Sequence, residues 1–256
     1  MCCSPQLGAD RDVPQEAGMT LDVDLLLEET TPDTEAHVRA NRLVAAVTSG
    51  EAGVAEMARV AVGEFHAHTA EVAAFAALAA RHPHQPVAGY FLDLARLVLD
   101  CEAPLLACAR ALGHGEQELR AERPPQGMRA FDSLMGWLAM RSGPAEAACA
   151  MRADLLLWCA ACEALGEALG RVEPALPSPV LEYVALFRAA PPRFVDGARE
   201  VVAYGLAHGE NPAVIEHAVS QVEPTLAGFW AAALPTPPRR DDPTPLSPPG
   251  AEVAHT

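Results

Sequence analysis

Between residues 31 and 234, long stretches rich in Ala and Leu alternate with short breaks at proline or glycine. Within the stretches, apolar residues recur at three- and four-residue steps. That recurrence is the period of an α-helix with one face against a core. Ala and Leu are the strongest helix formers, and isoleucine, which favours strands, occurs once, at Ile215. The pattern predicts an all-α fold: a single-domain helical bundle of about eight helices.

The predicted helices follow the punctuation. Thr31-Pro32 caps a first helix that runs to Gly50 with the stripe His37, Ala40, Val44 and Val47. A second, about 53–81, carries Ala61, Phe65, His68, Val72 and Phe75 on one face and stops at His82-Pro83-His84-Gln85-Pro86. The third, about 87–112, contains Pro104, which is expected to kink it. Further helices are read at about 128–141, 144–169, 179–189, 192–207 and 212–233, the last with Pro224 inside. Residues 1–30 read as a disordered extension, with Met19 an alternative start. The stretch 235–256 holds seven of the 23 prolines and reads as a disordered tail.

Charge and composition exclude several functions. All 18 basic residues are arginine, so a Schiff-base lysine, a cofactor-anchoring lysine and a P-loop are ruled out. The formal net charge is −16, and the arginines are scattered; the one adjacent pair, Arg239-Arg240, is followed by Asp241-Asp242. Direct nucleic-acid binding and attraction to acidic membranes both need the opposite. The longest uncharged apolar run, Val72 to Ala80, falls far short of the ~18 residues of a membrane span. With no basic residue before Arg11 and no apolar run behind it, a secretory signal is not expected, and the chain reads as cytoplasmic. The seven cysteines then read as reduced thiols, and Cys159-x-x-Cys162 as small buried apolar groups on a helix. The oligomeric state, a homo-oligomer included, stays open.

Several side chains stand out chemically. Glu64, His68 and Glu71 lie at i, i+4 and i+7, so either carboxylate can bond the imidazole. His68 sits on the apolar stripe, as a pocket base or ligand or as a core histidine satisfied by its neighbour. His66 points elsewhere, toward solvent. Glu102 interrupts the apolar stripe of the third helix, so it is either a site residue or a helix-edge glutamate reaching water. No histidine of the predicted helices has Glu or Asp three residues before it, so the ligand pairs of di-iron bundles are missing and no metal or cofactor is expected.

The order and content of the helices resemble the heme-oxygenase-like superfamily, in particular its thiaminase II (TenA) and PqqC-like branch. The resemblance rests on Ala130-Phe131-Asp132-Ser133-Leu134 through Gly143, then Glu146 and Leu155 to Gly166. Glu102 and the closing Phe229-Trp230-Ala231-Ala232-Ala233 extend it, over about residues 33–233. It implies a ligand site between helices. Anchoring on Gly166 puts Trp158 at the position of the thiaminase nucleophile and Cys162 at that of its tyrosine; a one-residue shift makes Cys159 the nucleophile. The family's acidic residue before Phe-Trp falls on Leu226, with Glu223 the nearest carboxylate. Glu102-Ala103-Pro104-Leu105 lacks the ligand histidine of the di-iron branch. Thr34-Glu35-Ala36-His37 is loosely similar to the proximal-histidine helix of heme oxygenases.

The expected site is therefore a pocket holding Glu64, His68, Glu102, Cys162, Tyr183, Tyr204 and Trp230, with Cys159 and Glu223 as the candidate catalytic pair. Its expected ligand is a small, partly aromatic, neutral or cationic molecule, because the polar candidates are mostly carboxylates beside stacking surfaces. The first reading is a binding protein without thiaminase activity, in a regulatory or pathway-support role. The alternative is a C–N bond hydrolase with a rearranged Cys159/Glu223 site, and a lesser one is heme binding or heme-oxygenase-like oxidation through His37.

Overall fold

The computed structural model describes residues 22–235, and every regular element among them is an α-helix. In chain order these are α1 (Val23–Glu29), α2 (Thr34–Ala40), α3 (Arg42–Ser49), α4 (Val54–Arg81), α5 (Val87–Ala111) and α6 (Glu116–Ala121). They continue with α7 (Gln126–Arg141), α8 (Pro144–Leu169), α9 (Ser178–Ala185), α10 (Pro192–Ala207), α11 (Pro212–Ser220) and α12 (Val222–Ala232). The expected extension up to residue 21 and the expected tail from residue 236 lie outside the described residues.

The long helices α4, α5, α7 and α8 fall where punctuation and periodicity put them. Helix α8 is the axis of the bundle. From Pro144 to Met151 every residue is buried, because α2, α3, α10, α11 and α12 pack around it. A helix enclosed on all sides needs small side chains, and Ala145, Ala147, Ala148 and Ala150 supply them. Its N-terminus is capped by Glu210, from the turn after α10, which accepts the N–H groups of Ala145 (2.9 Å) and Glu146 (3.1 Å). Gly143 and Gly205 make that approach feasible, since a Cβ at either would collide with the Glu210 carboxylate.

Two expected helices break in the structure, each for a local reason. The helix expected over 31–50 breaks at Asn41, which is extended (φ −69°, ψ 110°) and turns its side-chain oxygen onto the N–H groups of Leu43 and Val44. Asparagine in mid-helix offers the backbone this competing bond. The last expected helix breaks at Gln221: Pro224 has no N–H for the Ser220 carbonyl and its ring crowds that carbonyl, which ends α11. Helix α5, by contrast, continues through Pro104.

Two short helices were not expected. Val23–Glu29, read as part of the extension, form α1, which buries Leu26 and Leu27. Arg152 on α8 donates to the Leu27 carbonyl (3.3 Å) and the Thr31 hydroxyl (3.1 Å), and the Thr30 hydroxyl meets the Cys149 sulfur at 3.2 Å. Helix α6 buries Leu119 completely. Its C-terminal carbonyls of Leu119 and Glu122 lie 3.1 and 2.9 Å from His66 Nε2, so His66 is a structural partner and not a solvated side chain.

Candidate functional site

Helices α4, α5, α7, α8 and α12 surround a cavity of about 60 Å³. Three carboxylates line it, Glu64 and Glu71 from α4 and Asp154 from α8, together with His68 and Cys101. Its aromatic walls are Phe131, Trp158, Phe187 and Phe229. No lysine or arginine lines it.

The polar groups form a chain with open ends. Tyr183, from α9, donates its hydroxyl hydrogen to Glu64 Oε2 at 2.9 Å, and the Tyr183 hydroxyl oxygen lies 3.3 Å from His68 Nε2. With its hydrogen committed to Glu64, the Tyr183 oxygen accepts from His68 Nε2–H, which leaves Nδ1 a bare acceptor. Nδ1 is buried and has no partner. Asp154 is 7% exposed, and its Oδ1 is likewise buried without a partner.

Burial dominates the protonation of this group. Desolvation pushes Glu64 up to about 8, against the Tyr183 hydrogen bond, which acts to lower it. Asp154 is pushed up to about 7 and Glu71 well above the usual carboxylate range, the latter raised further by Asp154 and Glu64. The His68 imidazole is pushed down to about 4 and is neutral at ordinary pH. Near pH 7 the three carboxyls together therefore carry no more than about one negative charge.

The expected site residues divide accordingly. Glu64, His68 and Tyr183 come together. Cys162 is buried and does not line the cavity; burial pushes its thiol well above the usual range, and Glu64 adds to the rise. Trp230 stacks under the cavity wall, its ring 4.3 Å from Trp158 and 18° from parallel, and does not line the space itself. Glu102 is exposed on α5, at the rim of a separate outer groove; it is the helix-edge glutamate. Tyr204 stacks on His208 at 4.0 Å, on α10, away from the cavity.

The candidate catalytic pair is not assembled. Glu223 accepts from His37 Nδ1 at 3.1 Å and lines a surface cleft between the N-terminal helices and α11–α12. Cys159 lines neither space, and desolvation pushes its thiol up to about 12. Trp158 and Leu226 face the cavity in their stead. His37, the candidate heme ligand, is 2% exposed with Nε2 enclosed by protein, which leaves no face for a heme plane. All five cysteines among the described residues are free and buried.

Asp154 and Glu71 are the carboxylates of the site absent from the expected set. The signal for Asp154 was present: a carboxylate opening the run Leu155-Leu156-Leu157-Trp158, a full turn ahead of Trp158 on the same face. Among the described residues no group of three or more His, Cys, Asp or Glu side chains converges as a metal site, and no helix is long and apolar enough to cross a membrane. Compared with known proteins, the chain matches no family model, and no curated protein is significantly similar to it.

Proposed function

We propose that this is a TenA-like helical protein that binds a small, partly aromatic, neutral or cationic molecule in the cavity between α4, α5, α8 and α12, in a regulatory or pathway-support role and without thiaminase activity. The observation that carries the reading is the pair of unpartnered acceptors, Asp154 Oδ1 and His68 Nδ1, on residues that line an aromatic-walled cavity. A buried acceptor without a donor costs about 1–3 kcal/mol, and a ligand bearing N–H groups relieves that cost. The aromatic faces favour a cationic or electron-poor guest.

The absence of thiaminase chemistry rests on the residues facing the cavity. A nucleophilic cysteine needs a depressed pKa and access to substrate, and Cys159 has neither. The hydrolase alternative needs Cys159 and Glu223 to share a site, and Glu223 is held by His37 in another cleft.

Native mass spectrometry of the purified full chain tests the proposal. A bound small molecule is expected, retained by wild type and lost from Asp154→Leu while that variant keeps its helical circular dichroism. Apo protein in every preparation, combined with no thermal stabilisation by any member of a library of aromatic amines and heterocycles, would overturn it.

A further inference from the structure

His68 and Val98 stand between two spaces. They line the cavity on one side and, on the other, line an open groove of about 350 Å³ between α4 and α5. The groove is apolar along its length, with Phe65, Val72, Leu99 and Leu105 in its walls, and Leu99 is 47% exposed. Its one cation, Arg120, is already committed: it bonds Glu116 at 2.7 Å and lies over the Phe65 ring. The groove therefore offers an acidic ligand no free positive charge.

We propose that cavity and groove are two halves of one site for an amphiphilic amine, whose N–H-bearing head enters among Glu64, Glu71 and Asp154, whose apolar tail lies in the groove, and whose chain passes between His68 and Val98. This rests on the small-molecule reading above and names the class of ligand. Three observations converge on it. The unpartnered groups at the inner end, Asp154 Oδ1 and His68 Nδ1, are both acceptors, so the head must be a donor. No arginine lines the inner cavity, so the charge complementary to its carboxylates has to arrive with the ligand. The inner space of about 60 Å³ holds only the head of a ligand, so the rest of the molecule needs an adjoining space, and the one across His68 and Val98 is apolar-walled. The carboxyl charge near pH 7, no more than about one unit, matches a single ammonium.

Titration calorimetry of the full chain with butylamine, hexylamine, octylamine and decylamine, all below their aggregation concentrations, tests this. Burial of a methylene predicts affinity rising roughly threefold to fourfold per added carbon through the series. Octanoate is expected not to bind, and octanol to bind at least tenfold more weakly than octylamine. Asp154→Asn should weaken every amine by a similar factor. Ala73→Trp, at an exposed position in the groove, should erase the advantage of octylamine and leave butylamine unchanged. If amines bind with no chain-length dependence, the groove is not part of the site and the inference fails while the cavity reading stands. Equal binding of octanol and octylamine, or amine binding unaffected by Asp154→Asn, would remove the head-group assignment. Failure of every amine overturns the inference; a different native ligand in the cavity would then keep the broader reading, and an empty cavity in all preparations would sink both.

Discussion

Tyr183 on α9 donates its hydroxyl to Glu64 on α4 at 2.9 Å, and that contact ties a short helix to the buried centre of the longest one. It also sets the order of hydrogens along Glu64, Tyr183 and His68, and so determines which atoms the cavity leaves free. Tyr183→Phe removes the donor and strands Glu64 Oε2. A loss of about 1–3 kcal/mol is expected in urea unfolding, with the Glu64 carboxyl rising further in pKa because its one stabilising bond is gone. An unchanged midpoint would show that the bond contributes nothing to the fold.

The raised carboxyls predict a fall in stability with pH. Unfolded, Glu64 and Asp154 ionise near 4.5 and 3.8; folded, they hold their protons up to about 8 and about 7. Between those values the folded state binds more protons, so stability is full at low pH and is lost as pH rises through the folded values. His68 acts in the opposite sense, but only between about 4 and its ordinary 6.5. The window from pH 6.5 to 8.5 therefore isolates the carboxyls. Glu64 alone is expected to take about 2 kcal/mol from stability across it, with Asp154 and Glu71 adding to the loss, so wild type should lose more than that and Glu64→Gln should lose about 2 kcal/mol less than wild type. A flat profile in wild type would contradict the burial described for Glu64.

Cys159 is expected to behave as a structural thiol. Held in the native state, it should resist iodoacetamide at pH 8 and become labelled only in denaturant, because a thiol pushed up to about 12 supplies almost no thiolate. Wild type, Cys159→Ser and Glu223→Gln should show equally negligible turnover of thiamine and aminopyrimidine substrates. Turnover near 1 s⁻¹ in wild type with collapse in both variants would establish the hydrolase reading instead.

Helix α1 is part of the domain and not an appendage. Deleting residues 1–30 removes the buried Leu26 and Leu27 and uncovers Cys149. Burial of such side chains is worth about 1.5–3 kcal/mol each, so a fall in Tm of about 6–20 °C is expected for a domain of this size. A fall of only a degree or two would mean that α1 does not dock.

Two glycines on α7 should respond with opposite signs. At Gly127 a Cβ would meet the Gly228 carbonyl of α12 at 2.7 Å, and backbone cannot yield as a side chain can. Gly127→Ala is expected to destabilise by about 1–3 kcal/mol. Gly136 is exposed with open space beside it, and Gly136→Ala should stabilise by about 0.5–1 kcal/mol through helix propensity and a less flexible unfolded chain. Denaturant midpoints of the two variants check both signs at once.

By itself the sequence determined the long helices and most of their ends, because helix formation depends on residues three and four apart and on proline and glycine at the boundaries. It made Glu64 and His68 neighbours on one helix, but it put Glu102 in the pocket, and the structure places that side chain at an exposed helix edge. Asn41 broke a helix through a side-chain bond that composition does not display, and α1 and α6 are too short to show a period; packing of Leu26, Leu27 and Leu119 holds them. Only the tertiary structure decided which side chains share the cavity. Cys159 and Trp158 are adjacent in the chain, yet one helical step turns Trp158 to the cavity and Cys159 away from it. Glu223 and Leu226, three residues apart on α12, likewise line different spaces. Asp154 shares the cavity with Glu64 and Glu71 because α8 faces α4 across it, a relationship between faces some 90 residues apart that no local period encodes.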